Sequence, residues 1–164
     1  MNETEDKILL ERIARFSDRL SRQIVHTPLP LALEFATSEG ALTFSQRKDL
    51  DYKPISVDTR WGQHWEVAWF RATVPIPETH RNKPIVVRLD LGGEGLVFDN
   101  QGRILQGISS GSVFLNDSSR DLIHVSNLSS GQDKLELWIE ASACGLFGVH
   151  TDSDPQPGAA NRYG

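Results

Sequence analysis

The sequence predicts an all-β sandwich led by one amphipathic α-helix, and three observations carry that reading. Apolar residues recur at helical spacing only ahead of Pro28; beyond it the apolar period falls to two; and the later apolar runs are short, each bounded by Gly, Asn, Asp or Ser. Short strands at such spacing, with no helical pattern among them, build a sandwich.

The helix comes first. Ile8, Leu9, Ile13, Phe16, Leu20 and Ile24 recur every three to five residues, while Glu11, Arg12, Arg15, Asp18, Arg19 and Arg22 fill the opposite side. The pattern predicts a helix over Glu5 to Gln23, closed off before Pro28 and Pro30. Its apolar stripe is expected to pack on the domain or on a neighbouring subunit, since a membrane-surface helix would carry more apolar bulk and a basic polar face.

Strands begin where Leu31, Leu33 and Phe35 alternate with Ala32 and Glu34. A short segment at Leu42 to Phe44 precedes a polar, irregular connection that runs to Trp61. Trp65 to Val74 reads as a strand covered on both sides, with Trp65, Val67 and Trp69 on one face and Ala68, Phe70, Ala72 and Val74 on the other. Pro75 and Pro77 end it. Further strands are expected at Ile85 to Leu91, Gly95 to Phe98, Arg103 to Ile108, Val113 to Leu115, Asp121 to Val125 and Lys134 to Ala141. The organisation that results is a helix and lead-in over 1–27, a β-sandwich domain over 28–150 and a turn-rich linker over 151–164.

Composition narrows the function. A chain of 164 residues can bury a real core. Its 17 basic and 22 acidic residues leave a net charge of -5 with no basic stripe, which argues against nucleic acid as a partner. No apolar run approaches the ~20 residues of a membrane span, so no membrane partner is expected. The N-terminus lacks the apolar core of a secretory signal, and a cytoplasmic location is the expectation. Cys144 is the only cysteine, which rules out an internal disulfide and a multi-thiolate zinc site.

The stretch Leu89 to Gly107, LDLGGEGLVFDNQGRILQG, places five glycines among short apolar runs. A phosphate-cradling loop needs a helix N-terminus behind its amides, but here a strand and a turn follow, so phosphate binding is rejected. Asp99-Asn100-Gln101-Gly102 reads as a hairpin connection. Glu94, flanked by Gly93 and Gly95, is a carboxylate on closely approachable backbone, suited to accept sugar hydroxyls; its plainer reading is a solvated acid or a partner of Arg88 or Arg71. Among the four tryptophans, Trp65, Trp69 and Trp138 lie in strand patterns and are expected in the core, whereas Trp61, beside Gly62, is the candidate platform for a sugar ring.

No catalytic or metal-ligating set emerges. His150-Thr151-Asp152 has ligand-like spacing, but one pair does not make a zinc site. Ser110-Gly111-Ser112 is a turn and not a nucleophile elbow, and nothing singles out two of Asp90, Glu94 and Glu140 as a glycosidase pair. The candidate residues are Trp61, His64, Gly93, Glu94 and Gly95, facing either a carbohydrate or another domain.

An ordered series of motifs takes the reading further. Trp61-Gly62-Gln63-His64-Trp65, Ala68-Trp69-Phe70-Arg71-Ala72, Leu89 to Phe98, Gln106-Gly107, and Ile139 to Gly148 together resemble the N-terminal, non-catalytic domain of α-mannosidases of glycoside hydrolase family 38. The resemblance implies a jelly-roll β-sandwich, similar to galactose-binding-type domains, ahead of a catalytic domain missing from this chain. It further implies hydrolysis of terminal α-mannosides by that domain, which would hold the zinc; this chain would hold no cofactor and have no activity alone. His150-Thr151-Asp152 is followed by Ser-Asp-Pro-Gln-Pro and does not match the family's zinc motif. The expected partner is the chain's own catalytic domain. The alternatives are a free-standing carbohydrate-binding module using Trp61, His64 and Glu94, and a structural domain that assembles as a homo-oligomer.

Overall fold

The computed structural model describes residues 3–24, 28–57, 59–63, 65–109, 120–125 and 133–144. The chain divides into two compact units, Met1–Pro30 and Leu31–Gly164. In the first, α1 spans Glu3–Ile24, within two residues of the predicted bounds at each end. Glu11 and Arg15 pair one turn apart at 3.4 Å on its polar side. Its apolar stripe is exposed, with Ile8, Leu10, Ile13 and Phe16 each more than half accessible. No helix among the described residues is long and apolar enough to cross a membrane.

The second unit is the predicted sandwich. Its strands are β1 (Ala32–Ser38), β2 (Lys53–Pro54), β3 (Val67–Pro75), β4 (Val86–Arg88), β5 (Glu94–Phe98), β6 (Ile104–Ser109), β7 (Leu122–His124) and β8 (Lys134–Ser142). Six form an antiparallel sheet in the order β2-β1-β3-β8-β5-β6, and β4 and β7 pair in a second sheet. Bonds from Val125 N–H to the Ile85 carbonyl (3.1 Å) and from Leu89 N–H to the Asp121 carbonyl (2.9 Å) extend the second ladder to nearly the predicted strand lengths. A bridge between Ser109 and Arg120 links the end of β6 to the approach to β7, carrying the chain from one sheet to the other.

Alternation along the central strands decides the faces. Ala68, Phe70, Ala72 and Val74 of β3 and Leu135, Leu137, Ile139 and Ala141 of β8 point inward, clustering with Val87 and Ile123 of the second sheet and with Leu89, Leu91 and Val125 beside it. Phe35 of β1 stacks on Phe70 with ring centroids 5.9 Å apart.

The intervening residues cover the outer face, and here the structure departs from expectation. Leu42–Phe44 forms no strand: the Thr43 amide (2.9 Å) and hydroxyl (2.7 Å) both donate to Gln46 Oε1, turning the chain into a 3-10 turn at Gln46–Asp49. The presumed connecting loop is a lid. Phe44, Leu50 and Tyr52 pack on Trp69, Trp138, Phe98 and Leu96 in a second apolar cluster. Phe44 meets Phe98 at 5.3 Å and Tyr52 meets Trp138 edge-on at 5.5 Å. Arg47 is buried between them, its guanidinium 3.3 Å from the Phe44 ring centre and 4.2 Å from that of Trp138, and it donates to the Phe44 carbonyl. A desolvated cation over aromatic faces is worth about 2 kcal/mol. Burial pulls the Arg47 guanidinium below its ordinary pKa, and pushes the Tyr52 hydroxyl up to about 12.

Gly102 shows why the hairpin and lid fit together. Its φ of 83° lies in the left-handed region, and a Cβ there would sit 2.7 Å from the Phe44 ring. Gly102→Ala is expected to cost about 1–3 kcal/mol in a denaturant titration, because it both strains the turn and displaces Phe44.

The strand expected at Val113–Leu115, the Ser110–Ser112 turn, His64, His150–Asp152 and the 151–164 linker lie outside the described residues.

Candidate domain interface and adjoining cleft

The register of the large sheet sets out its outer face row by row. One row carries Glu34, Arg71, Trp138 and Phe98; the next carries Ala36, Trp69, Glu140 and Leu96; the last carries Ser38, Val67, Ser142, Glu94 and Ser109. The lid's aromatic rings pack on the first two rows. The last row, of small or polar residues apart from Val67, forms a rim.

Three of the sequence motifs converge at this end of the sheet. Trp65 N–H donates to the Ala143 carbonyl (2.9 Å) and Ala143 N–H to the Glu66 carbonyl (2.9 Å), joining the tryptophan motif to the end of β8. The Trp61 indole N–H donates to the Leu91 carbonyl at 2.7 Å, tying the same motif to the turn ahead of Glu94. Gly62 and Gly93 exist for closeness: a Cβ would stand 2.9 Å from Ala143 Cβ at Gly62 and 2.5 Å from the Ser142 carbonyl oxygen at Gly93.

Trp61 is half-buried, its ring edge-on to Phe70 at 4.8 Å against the inner core. Glu94 stands on the outer face, so the two do not share a surface. The structure departs from the burial expected of Trp65. Strand β3 starts at Val67, two residues later than predicted, and Trp65 precedes it with φ of 67° and 58% of its surface exposed, instead of lying in the core. Trp69 and Trp138 are buried as expected. Nothing in the letters Gly-Gln-His-Trp signals a left-handed tryptophan.

Glu94 is exposed and pairs with neither predicted arginine. Arg71 is held by Glu136 at 3.1 Å and Glu34 at 3.5 Å, and Arg88 by Asp121 at 3.2 Å. Gly95 faces inward, where a Cβ would meet Ile139 Cγ2 at 3.0 Å and Ile108 Cγ1 at 3.2 Å. The glycines around Glu94 thus serve packing. Gly93→Ala is expected to destabilise the domain by about 1–3 kcal/mol in chemical denaturation, while Glu94→Gln leaves the midpoint unchanged.

Glu140 neighbours Glu94 diagonally, each being paired with a residue two along from the other. It is partly buried, has no hydrogen bond or ion pair among the described residues, and desolvation raises its pKa. A raised folded pKa means the unfavourable contribution is absent below the ordinary glutamate value near 4.3 and grows as pH rises through the folded value. Glu140→Gln is therefore expected to raise the melting temperature at pH 7 and to leave it unchanged near pH 4. The two carboxylates stand on directly hydrogen-bonded strands of one sheet face. Asp90 is engaged elsewhere, accepting the Gly92 N–H at 2.9 Å. Among the described residues no group of three or more His, Cys, Asp or Glu is placed to hold a metal ion.

The fold and the face define a class: a jelly-roll β-sandwich module with a polar rim. Residues 28–163 match the family model described as the jelly-roll domain of alpha-mannosidase, and the chain belongs to that family. It is 29% identical over 111 residues to alpha-mannosidase G of Dictyostelium discoideum, covering 68% of this chain and 10% of that protein. It is 26% identical over 122 residues to human alpha-mannosidase 2C1, covering 74% of this chain and 11% of that protein. The chain thus spans about a tenth of the length of these relatives.

Proposed function

We propose that this domain is the accessory jelly roll of a family 38 α-mannosidase and packs on that enzyme's catalytic domain through the rim of Ser38, Val67, Ser142, Glu94 and Ser109. The observation that carries the packing is Glu140. A partly buried carboxylate without a partner costs stability in the isolated domain, and a cation from a docked surface removes that cost. Glu94, exposed beside it, widens the negative target and favours a partner surface bearing Lys or Arg. Zinc and the reacting carboxylates belong to the catalytic domain.

The reading is tested with an α-mannoside hydrolysis assay on the purified chain, alone and mixed with the catalytic region of the enzyme that carries it. The chain alone is expected to be inactive, the mixture more active or more heat-resistant than the catalytic region alone, and Glu94→Arg with Glu140→Arg to abolish that gain. Hydrolysis by the chain alone would refute the assignment.

A further inference from the structure

We infer that a cleft at the β1–β3 side of the sheet is a binding subsite for a neutral pyranose ring, with Trp65 as its floor. The cleft has a volume of about 640 Å³ and is lined by Ser38, Glu39, Gln63, Trp65, Glu66 and Val67 among others. That volume is on the scale of small-ligand sites.

Trp65 is held outward by its backbone. A bulky residue at φ of 67° adopts a conformation that costs energy, and here it persists because both Trp65 N–H and Ala143 N–H are bonded across to the partner segment at 2.9 Å. The fold thus leaves Trp65, a residue whose indole would be more stable inside, 58% exposed. Around it stand polar groups with capacity to spare. Glu39 and the Gln63 side chain make no hydrogen bond or ion pair among the described residues, and Glu66 uses Oε2 on the Gln63 N–H at 2.6 Å.

A pyranose ring matches this set: its C–H face packs on the indole while its hydroxyls donate to Glu39 and accept from the Gln63 amide. Among the described lining residues there is no Lys or Arg, and Glu39 and Glu66 bring negative charge, which disfavours phosphorylated or carboxylated ligands. A single indole does not make the cage of rings that organic cations require, so a cation is the weaker fit. The site is separate from the proposed interface acids. Ser38 and Val67 line both the cleft and the proposed rim, but Ser38 on β1 and Glu94 on β5 lie three strand spacings apart, about 14 Å, so sugar binding is read on the chain alone, with no docked domain present.

The test is a titration of the ¹⁵N-labelled chain with methyl α-mannopyranoside into the tens of millimolar, following the indole N–H signals of the four tryptophans. The Trp65 signal is identified by its absence in Trp65→Gly. Glycine is at ease at positive φ, so this variant is expected to melt no lower than the parent and its loss of binding cannot be ascribed to unfolding. The expected result is a saturable shift of the Trp65 signal, no binding by Trp65→Gly, and at least fivefold weaker binding by Glu39→Gln. No saturable shift at Trp65, a shift at Trp61 alone, or a response to tetramethylammonium chloride in place of the glycoside would overturn the assignment.

Discussion

Trp138→Ala is expected to lower stability by about 3–5 kcal/mol, a fall of roughly 10 °C in melting temperature for a chain of this size. The side chain is 8% exposed and anchors one end of the lid. It meets Tyr52 edge-on at 5.5 Å, lies under Arg47 at 4.2 Å and Arg71 at 5.6 Å, and its indole N–H donates to Glu136 Oε1 at 3.1 Å. Losing it leaves the buried Arg47 charge over Phe44 alone. The lid should then lift while the inner core stays closed, so limited proteolysis is expected to cut between Phe44 and Tyr52 before any site in β3 or β8. Arg47→Met, which keeps much of the volume and removes the charge, is expected to cost less. If Trp138→Ala unfolds the domain with no early cut in the lid, the lid is not a separable element.

Asp99→Ala is expected to cost about 2–4 kcal/mol in a denaturant titration, and it changes the acid limb of stability. The Asp99 carboxylate is 1% exposed at the base of the β5–β6 hairpin. Its Oδ1 accepts the N–H groups of Gln101 (2.8 Å) and Arg103 (2.9 Å), and its Oδ2 accepts Arg103 Nε at 2.6 Å. Burial alone would raise its pKa, but the bonds from Arg103 and Gln101 outweigh it and hold the carboxyl below its ordinary value. Glu136 behaves alike: desolvation would raise it, while its bonds to Arg71 lower it. Because both folded pKa values lie below the unfolded ones, their stabilisation is complete above about pH 4.5 and is lost as pH falls through the folded values. Acid titrations of stability should therefore be shallower in Asp99→Asn than in the parent, and an unchanged acid limb would show that the carboxylate's charge contributes nothing.

Much of this fold was legible in the letters. The helix stripe, the alternation along β3 and β8 and the Asp-Asn-Gln-Gly turn each follow from a local period or a local turn chemistry, and the structure keeps them within one or two residues. The lid was not legible, because its aromatic residues follow no period and are fixed only by rings that sit far along the chain. The candidate site divides in the same way. Glu94 and its glycines were visible as a motif, but what makes Gly93 and Gly95 necessary is the β8 backbone and Ile139. The exposure of Trp65 was not legible because strand onset depends on the bonds to Ala143, and those are contacts between residues nearly eighty positions apart. Glu140 looked like one acid among several, and only the register shows it beside Glu94 on the outer face.

Under the proposed function, the Glu94 end of the sheet is the surface buried against the catalytic domain. Backbone hydrogen exchange, compared between the chain alone and the chain mixed with the catalytic region, tests it most directly. Exchange is expected to slow in the Gly92–Glu94 turn and at Ala143–Cys144, with the Phe44–Tyr52 lid unchanged. Slowing confined to the lid, with the Glu94 turn exchanging as fast as in the free chain, would contradict it.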